Sequence, residues 1–310
     1  MEIIAGRPDL NSKKMLELIG LAKNDKVDIL LFPELAVPGS MIGDLWEQTD
    51  FLKDCETYGQ EIIEAAQDII VIFGNVATDW KRKNKDGLVR KYDAAFTAQN
   101  GTLISAAPGF DFVAKTVLPA CHQCDAPRYF SGQERLLKDK RASLKNGWGS
   151  VTVTVQGKEY KLGLLLGEDG LTDNGTANVP AMLKKSGAEM ICNLSSSTFT
   201  LGKNSQRHLR FSKQAKELQL PVVYCNHTGI QNTGKNIYTF DGQSCVYGPD
   251  GMVKAAAPMF EEKLLTFSWD KEHDKIRAYA AQDELITTED DDAEILYKTI
   301  RYGTSRFLQQ

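Results

Sequence analysis

The chain has no uninterrupted apolar stretch near the ~20 residues that a bilayer crossing needs, so no membrane partner is expected. Its Met1-Glu2-Ile3-Ile4 start has no basic segment and no long apolar run, so no secretory leader is expected either. It also lacks a Lys/Arg stripe: 37 basic residues against 41 acidic ones leave a net charge of -4, which argues against nucleic acid as a main partner. No Gly/Ser/Pro-rich linker divides residues 1–310, and they read as one domain. The six cysteines, Cys55, Cys121, Cys124, Cys192, Cys225 and Cys245, are scattered rather than framed as disulfide partners. Cys192 and Cys225 lie in apolar strand-like runs, where a free thiol behaves as a small hydrophobe. A reduced, cytoplasmic protein is expected.

What is present is a core-forming composition, 42% hydrophobic and 25% charged, in a chain long enough to bury it. Strand and helix signals alternate through the first two-thirds. Asn11-Ser12 can cap a helix whose Met15, Leu18, Ile19 and Ala22 recur at helical spacing. A strand ending at Glu34, a helix over Gln60 to Ala66 and a buried strand over Ile69 to Gly74 follow. Asn100-Gly101 is a strong type I′ hairpin signal, and Gln156-Gly157 marks a second hairpin into the strand that ends at Gly167. A helix around Pro180 to Leu183 precedes the strand Met190 to Asn193, and a helix over Gln206 to Leu218 precedes Val222 to Asn226. Hairpins are expected over Tyr238 to Tyr247, at Pro249-Asp250-Gly251 and over Lys263 to Trp269. A final helix is expected over Ala293 to Leu308, with the acidic run Glu289 to Asp292 at its positive end.

Three strand ends carry the chemistry. Glu34 closes the run Val27 to Pro33, and Lys115 sits in Phe112-Val113-Ala114-Lys115-Thr116-Val117-Leu118-Pro119. Leu162 to Leu166 runs into Gly167-Glu168-Asp169. A carboxylate and an ammonium at the ends of buried strands are costly unless they face each other or a ligand. Cys121-His122-Gln123-Cys124 looks like a zinc or redox half-site, but no second cysteine pair stands at ligand-like spacing, so no metal or cofactor is implied. Gly229 to Asn236 nearly spells a phosphate loop. Yet Asn236 replaces the Ser/Thr and Ile237 to Phe240 reads as strand, so an ordinary loop is expected there.

The segments Phe32-Pro33-Glu34-Leu35, Lys115-Thr116-Val117-Leu118-Pro119 and Leu166-Gly167-Glu168-Asp169 resemble the three signature regions of the nitrilase (carbon–nitrogen hydrolase) superfamily. The branch most resembled is the glutaminase domain of glutamine-dependent NAD synthetase. Arg128-Tyr129-Phe130, Asn193 to Ser197, Lys203, Arg207, Asn226 and Phe240 to Ser244 follow at family-like spacing, so the resemblance covers nearly the whole chain. It implies an α/β fold, the nitrilase-type α-β-β-α four-layer sandwich, and a homo-oligomer. It also implies Glu34 as general base, Lys115 as oxyanion stabiliser and a cysteine nucleophile where this chain has Gly167. Thiol attack needs a nearby base, and the developing charge needs a fixed cation.

The family's Cys-Glu-Asp-x-Trp is here Gly167-Glu168-Asp169-Gly170-Leu171, and two neighbouring departures favour natural decay or repurposing over a single engineered change. Ser197, Arg207 and Glu168 are the residues expected to hold a small amide or amino-acid ligand. The expected reading is a glutamine amidohydrolase-like protein that is inactive as written, the alternative a pseudoenzyme that binds such a ligand or a partner protein. Cys121 and Cys124 are the candidates for a displaced nucleophile. The resemblance also implies that a synthetase domain, with its Ser-Gly-Gly-x-Asp-Ser loop, is lacking after the final helix. A synthetase-type partner would then be needed to use any ammonia.

Overall fold

A computed structural model describes residues 1–107, 109–118, 126–140, 149–171, 178–234, 236–273, 275–279 and 291–309. The candidate cysteines Cys121 and Cys124 lie outside these residues.

Helix α1 (Pro8–Asn24) leads into strand β1 (Ile29–Leu31), and α2 (Thr49–Ala65) leads into β2 (Ile70–Lys83). Strands β3 (Val89–Gln99), β4 (Thr102–Leu103) and β5 (Val113–Ala114) complete the first sheet. Its order is β1-β2-β3-β4, with β5 also on β3. Two short helices follow, α3 (Ala126–Tyr129) and α4 (Gln133–Lys140). The second half holds β6 (Ser150–Val155), β7 (Lys158–Leu166), α5 (Val179–Lys185), β8 (Met190–Ser195), α6 (Lys203–Leu218) and β9 (Val222–Asn226). Then come β10 (Thr228–Asn232), β11 (Ile237–Asp241), β12 (Cys245–Tyr247) and β13 (Val253–Ala256). The chain closes with β14 (Phe267–Asp270), β15 (Lys275–Ala278) and α7 (Asp292–Gln309). The second sheet runs β13-β12-β9-β8-β7-β6, with β7, β8 and β9 parallel.

The period-2 alternation of side chains along a strand sorts the layers. Ile70 and Ile72 of β2 meet Leu162, Leu164 and Leu166 of β7 and Met190, Cys192 and Leu194 of β8 between the two sheets. The alternate residues Val71 and Phe73 face Met15, Ile19 and Ile62 of α1 and α2. On the far side, Leu165 and Ile191 face Leu183 of α5 and Phe211 and Ala215 of α6. The result is the four-layer α-β-β-α sandwich. Cys192 lies in the inter-sheet layer, where burial pushes its thiol up to about 12, so it is core.

Both tight turns form as expected. Asn100 (φ 53°) with Gly101 (φ 73°), and Gln156 (φ 49°) with Gly157 (φ 79°), supply the paired positive φ values of a I′ hairpin.

Four local expectations are corrected. Asn11 does not cap α1, which starts at Pro8. Its buried amide instead bonds Ile4 N, Ile4 O and Val37 O, at 2.8, 2.8 and 2.9 Å. The helix expected from Gln60 begins earlier, at Thr49. The first half of the expected loop at Gly229 to Asn236 is strand, since Thr228–Asn232 pairs antiparallel with Ile237–Asp241, while Thr233, Gly234 and Asn236 stay outside the strands. For the same reason Tyr238 to Tyr247 is not a hairpin. Gly242 (φ 72°) and Gln243 (φ 51°) turn the chain, and β12 pairs with β9 and β13.

Candidate active site

The carboxyl ends of β1, β7, β8 and β9 converge, and the residues just past them build the site. After β1, Phe32 N–H donates to Ile72 O and Gly74 N–H to Pro33 O, so the strand line runs on to Pro33 and Glu34 opens the turn that follows. Leu35 then adopts φ 48°, a left-handed conformation that an L side chain reaches at a cost. The loop lies so close to β2 that a Cβ at Gly74 would stand 2.3 Å from Leu35 N and 2.5 Å from Pro33 O. Only glycine fits there. Gly74→Ala is therefore expected to destabilise the fold by at least about 1–3 kcal/mol, because backbone rather than a flexible side chain must move. A denaturant midpoint equal to the parent's would show the loop to be looser than this packing implies.

Glu34 is buried, and its two oxygens are both engaged. Lys115 Nζ donates to Oε1 at 2.5 Å, and Ser196 N–H donates to Oε2 at 2.8 Å. His227 Nε2 lies 2.5 Å from the Glu34 carbonyl, and Gln231 Nε2 lies 3.1 Å from His227 Nδ1. The amide N–H of Gln231 makes Nδ1 the acceptor, so Nε2–H donates to Glu34. Burial pushes His227 down to about 3, and the ring is neutral at physiological pH. Gln231 Oε1 accepts from Ser40 N–H and Met41 N–H at 3.0 and 2.9 Å, tying the loop after Glu34 to β10.

Lys115 is placed by its own backbone, whose N–H donates to Asp93 O of β3 at 2.9 Å. Its ammonium meets Glu168 Oε2 at 2.6 Å as well as Glu34, with Asp93 Oδ2 at 3.8 Å. Burial alone would favour the neutral amine, but the carboxylates, Glu34 first and then Glu168, outweigh it and raise Lys115 well above its ordinary value. Burial likewise opposes charge on Glu168, yet the Lys115 ammonium holds its carboxyl below the usual range. Asp169 accepts from Thr116 N–H (2.9 Å) and Val117 N–H (2.6 Å), clamping the segment after Lys115 to the turn after β7. Burial raises Asp169 to about 7 despite those donors.

At the centre is Gly167, in the left-handed region at φ 48°. A Cβ there would stand 2.8 Å from Glu34 Oε2, 2.8 Å from Lys115 Nζ and 3.0 Å from Glu34 Oε1. Whatever side chain this position carried would point at the carboxylate–ammonium pair. Gly170 is equally constrained, since its Cβ would meet Asn193 Nδ2 at 2.0 Å, and that amide donates to Gly167 O at 3.2 Å.

The sequence profile of the carbon-nitrogen hydrolase family matches residues 1–277. The chain belongs to that family. Among curated relatives, the glutamine-dependent NAD(+) synthetase of Acinetobacter baylyi is 26% identical over 306 residues, covering 98% of the chain and 48% of the relative. The Thermotoga maritima enzyme of the same name is 28% identical over 262 residues, 84% of the chain and 39% of the relative. The chain thus spans less than half the length of these relatives. Among solved structures, glutamine-dependent NAD+ synthetase from Acinetobacter baumannii superposes with a TM-score of 0.79 at 24% identity, over all of this chain and 51% of that one. A nitrilase-superfamily amidase from Nesterenkonia AN1 gives 0.65 at 16% identity over 84% of each chain. These likenesses establish the fold.

Of the residues expected from sequence, Glu34, Lys115, Gly167 and Glu168 meet in one cluster. Ser197 lies beside it, its N–H donating to Asn226 Oδ1 at 2.8 Å. Arg207 stands one step further back. It is buried, donates to both Asp241 oxygens at 3.2 and 3.1 Å and packs 4.9 Å from the Tyr224 ring centre. It connects to Ser197 through Asp241 and Asn226, whose Nδ2 donates to Asp241 Oδ1 and to Ser197 O. Sequence reasoning missed Ser196, His227, Asp93 and the clamp formed by Asp169. Asp93 carried no signal, since Arg90 and Lys91 precede it in sequence and the burial of this run shows only in the fold.

Proposed function

We propose that this chain is a glutaminase-type amide-hydrolase unit whose nucleophile position is held by Gly167. It then binds a small amide such as glutamine without hydrolysing it. The observation that carries this reading is the Gly167 geometry: a side chain there would be directed at both Glu34 and Lys115 within 2.8 Å. In such a site Glu34 takes the proton of an attacking group and passes it to the leaving ammonia, while Lys115 faces the developing oxyanion. The names of the curated relatives, glutamine-dependent synthetases, favour glutamine over other amides. Glu168, the partly exposed member of the cluster, and Ser197 are the ligand-facing groups in this reading. A separate synthetase-type partner would consume ammonia in an active relative, and a self-associated form fits the family resemblance.

The test is calorimetric. Glutamine is expected to bind the parent chain with no ammonia released, and Glu168→Gln is expected to weaken binding by about tenfold, the loss of one charge-assisted contact. Absence of any heat with glutamine and a small amide panel would refute ligand binding. A pocket kept for a partner protein would then be the remaining pseudoenzyme reading.

A further inference from the structure

One ammonium in this site faces three carboxyls. Glu34 and Glu168 take it at 2.5 and 2.6 Å, which leaves Asp93 Oδ2 at 3.8 Å from Lys115 Nζ. The other Asp93 oxygen, Oδ1, is sealed from water and has no hydrogen-bond donor among the described residues. Asp93 as a whole is 3% exposed. A buried anionic oxygen with neither water nor donor is costly, and a proton removes that cost. Glu34, meanwhile, accepts with one oxygen from Lys115 and with the other from Ser196 N–H.

We propose that Asp93 is a positioning residue of this site, a neutral carboxylic acid whose proton lies toward the Glu34 carboxylate, so that Lys115 balances Glu34 and Glu168 alone. The inference takes its functional meaning from the amide-hydrolase reading above. The groups facing Asp93 are Glu34 from the loop after β1, Lys115 from the end of β5 and Asp169 from the turn after β7, with Glu168 beyond Lys115. Burial first, then the Glu34 charge, pushes the Asp93 carboxyl well above its usual range, with Lys115 opposing. The consequence is geometric. A neutral Asp93 leaves the ammonium beside Glu34 and Gly167, whereas an ionised one would draw it toward β3 and away from the nucleophile position.

The sign of the pH dependence follows. An acid that stays protonated in the folded state beyond its unfolded range loses stability for the fold as pH rises toward its folded value. Asp93→Asn keeps the shape and a donor but has no proton to lose. The melting temperature of Asp93→Asn relative to the parent is therefore expected to climb with pH, by about 3 °C or more between pH 5 and pH 9. In parallel, 13C NMR of the aspartate-labelled full chain at pH 8 should show a carboxyl carbon at the protonated position that is missing from Asp93→Asn. A melting gap that is constant with pH, or a protonated signal that survives the substitution, would overturn the assignment. If Asp93→Asn does not fold, the parent spectrum still decides, because no aspartate at the protonated position at pH 8 also overturns it. Neither readout uses ammonia release, so this proposal and the amide-hydrolase reading fail separately.

Discussion

Replacing Lys115 with methionine is expected to destabilise the chain by about 3–5 kcal/mol at neutral pH, the range for removing one partner of a buried ion pair. Methionine matches the stem of lysine, so little packing is lost. The effect comes from leaving Glu34, Glu168 and Asp93 around a space with no cation, where Lys115 had met them at 2.5, 2.6 and 3.8 Å. Two pH trends separate this from a general packing defect. In the parent, the raised Lys115 stabilises the fold fully below the ordinary lysine range and loses that contribution only as pH climbs through its higher folded value. In Lys115→Met, buried carboxyls without a cation take up protons in the folded state, so stability should recover as pH falls from about 7.5 to 5.5. Urea denaturation at both values measures it. A variant as stable as the parent at both would mean that the cluster contributes nothing to the fold.

Gly167→Cys is expected to create a thiol unlike any described one in the chain. Burial pushes the Cys192 and Cys245 thiols up to about 12 and Cys225 to about 11, and Cys55 is raised further still, so these four are inert near neutrality. A thiol at residue 167 would instead face the Lys115 ammonium, which favours the thiolate. Alkylation by iodoacetamide, located by peptide mapping, should be at least about 100-fold faster at residue 167 than at those four, since each pKa unit is worth about tenfold in thiolate. The substitution carries strain. Its φ of 48° is left-handed, and the new Cβ would press within 2.8–3.0 Å of Glu34 and Lys115. Those contacts are the far ends of flexible side chains, so the ion pair is expected to part while the backbone stays. Stability should fall by about 1–2 kcal/mol, and Gly167→Ala should share that loss without the reactivity. Alkylation at residue 167 no faster than at the buried cysteines would contradict the aim of this position.

Much of the framework was legible in the sequence because its signals are local. Asn100-Gly101 and Gln156-Gly157 announce I′ turns through residues that tolerate positive φ, and both hairpins form. Glu34 and Lys115 stood out as charges closing apolar runs, where burial demands a partner. What escaped is non-local. Asn11 looked like a cap because Asn usually is one, but its amide serves Ile4 and Val37, and Val37 lies 26 residues away. The pairing of β10 with β11 overrode the loop signal of Gly229, whose neighbours Thr228 and Ile230 are buried, while Gly234 keeps its loop role between the two strands. Ser196 and His227 act on Glu34 through backbone groups, Ser196 N–H and Glu34 O, which no residue type advertises. Gly74 was similarly silent, because its necessity depends on where another loop crosses it.

The most direct test of the account is ammonia release from glutamine, run side by side on the parent, Gly167→Cys and Gly167→Cys with Glu34→Gln. The parent should give no more than the uncatalysed background, and Gly167→Cys should give a rate at least about 100-fold above that background, short of the ~10⁶ that a nucleophile is worth in a mature triad. The added Glu34→Gln should abolish that gain. Turnover by the parent above the uncatalysed background would contradict the account, for the site would then hold a nucleophile other than residue 167.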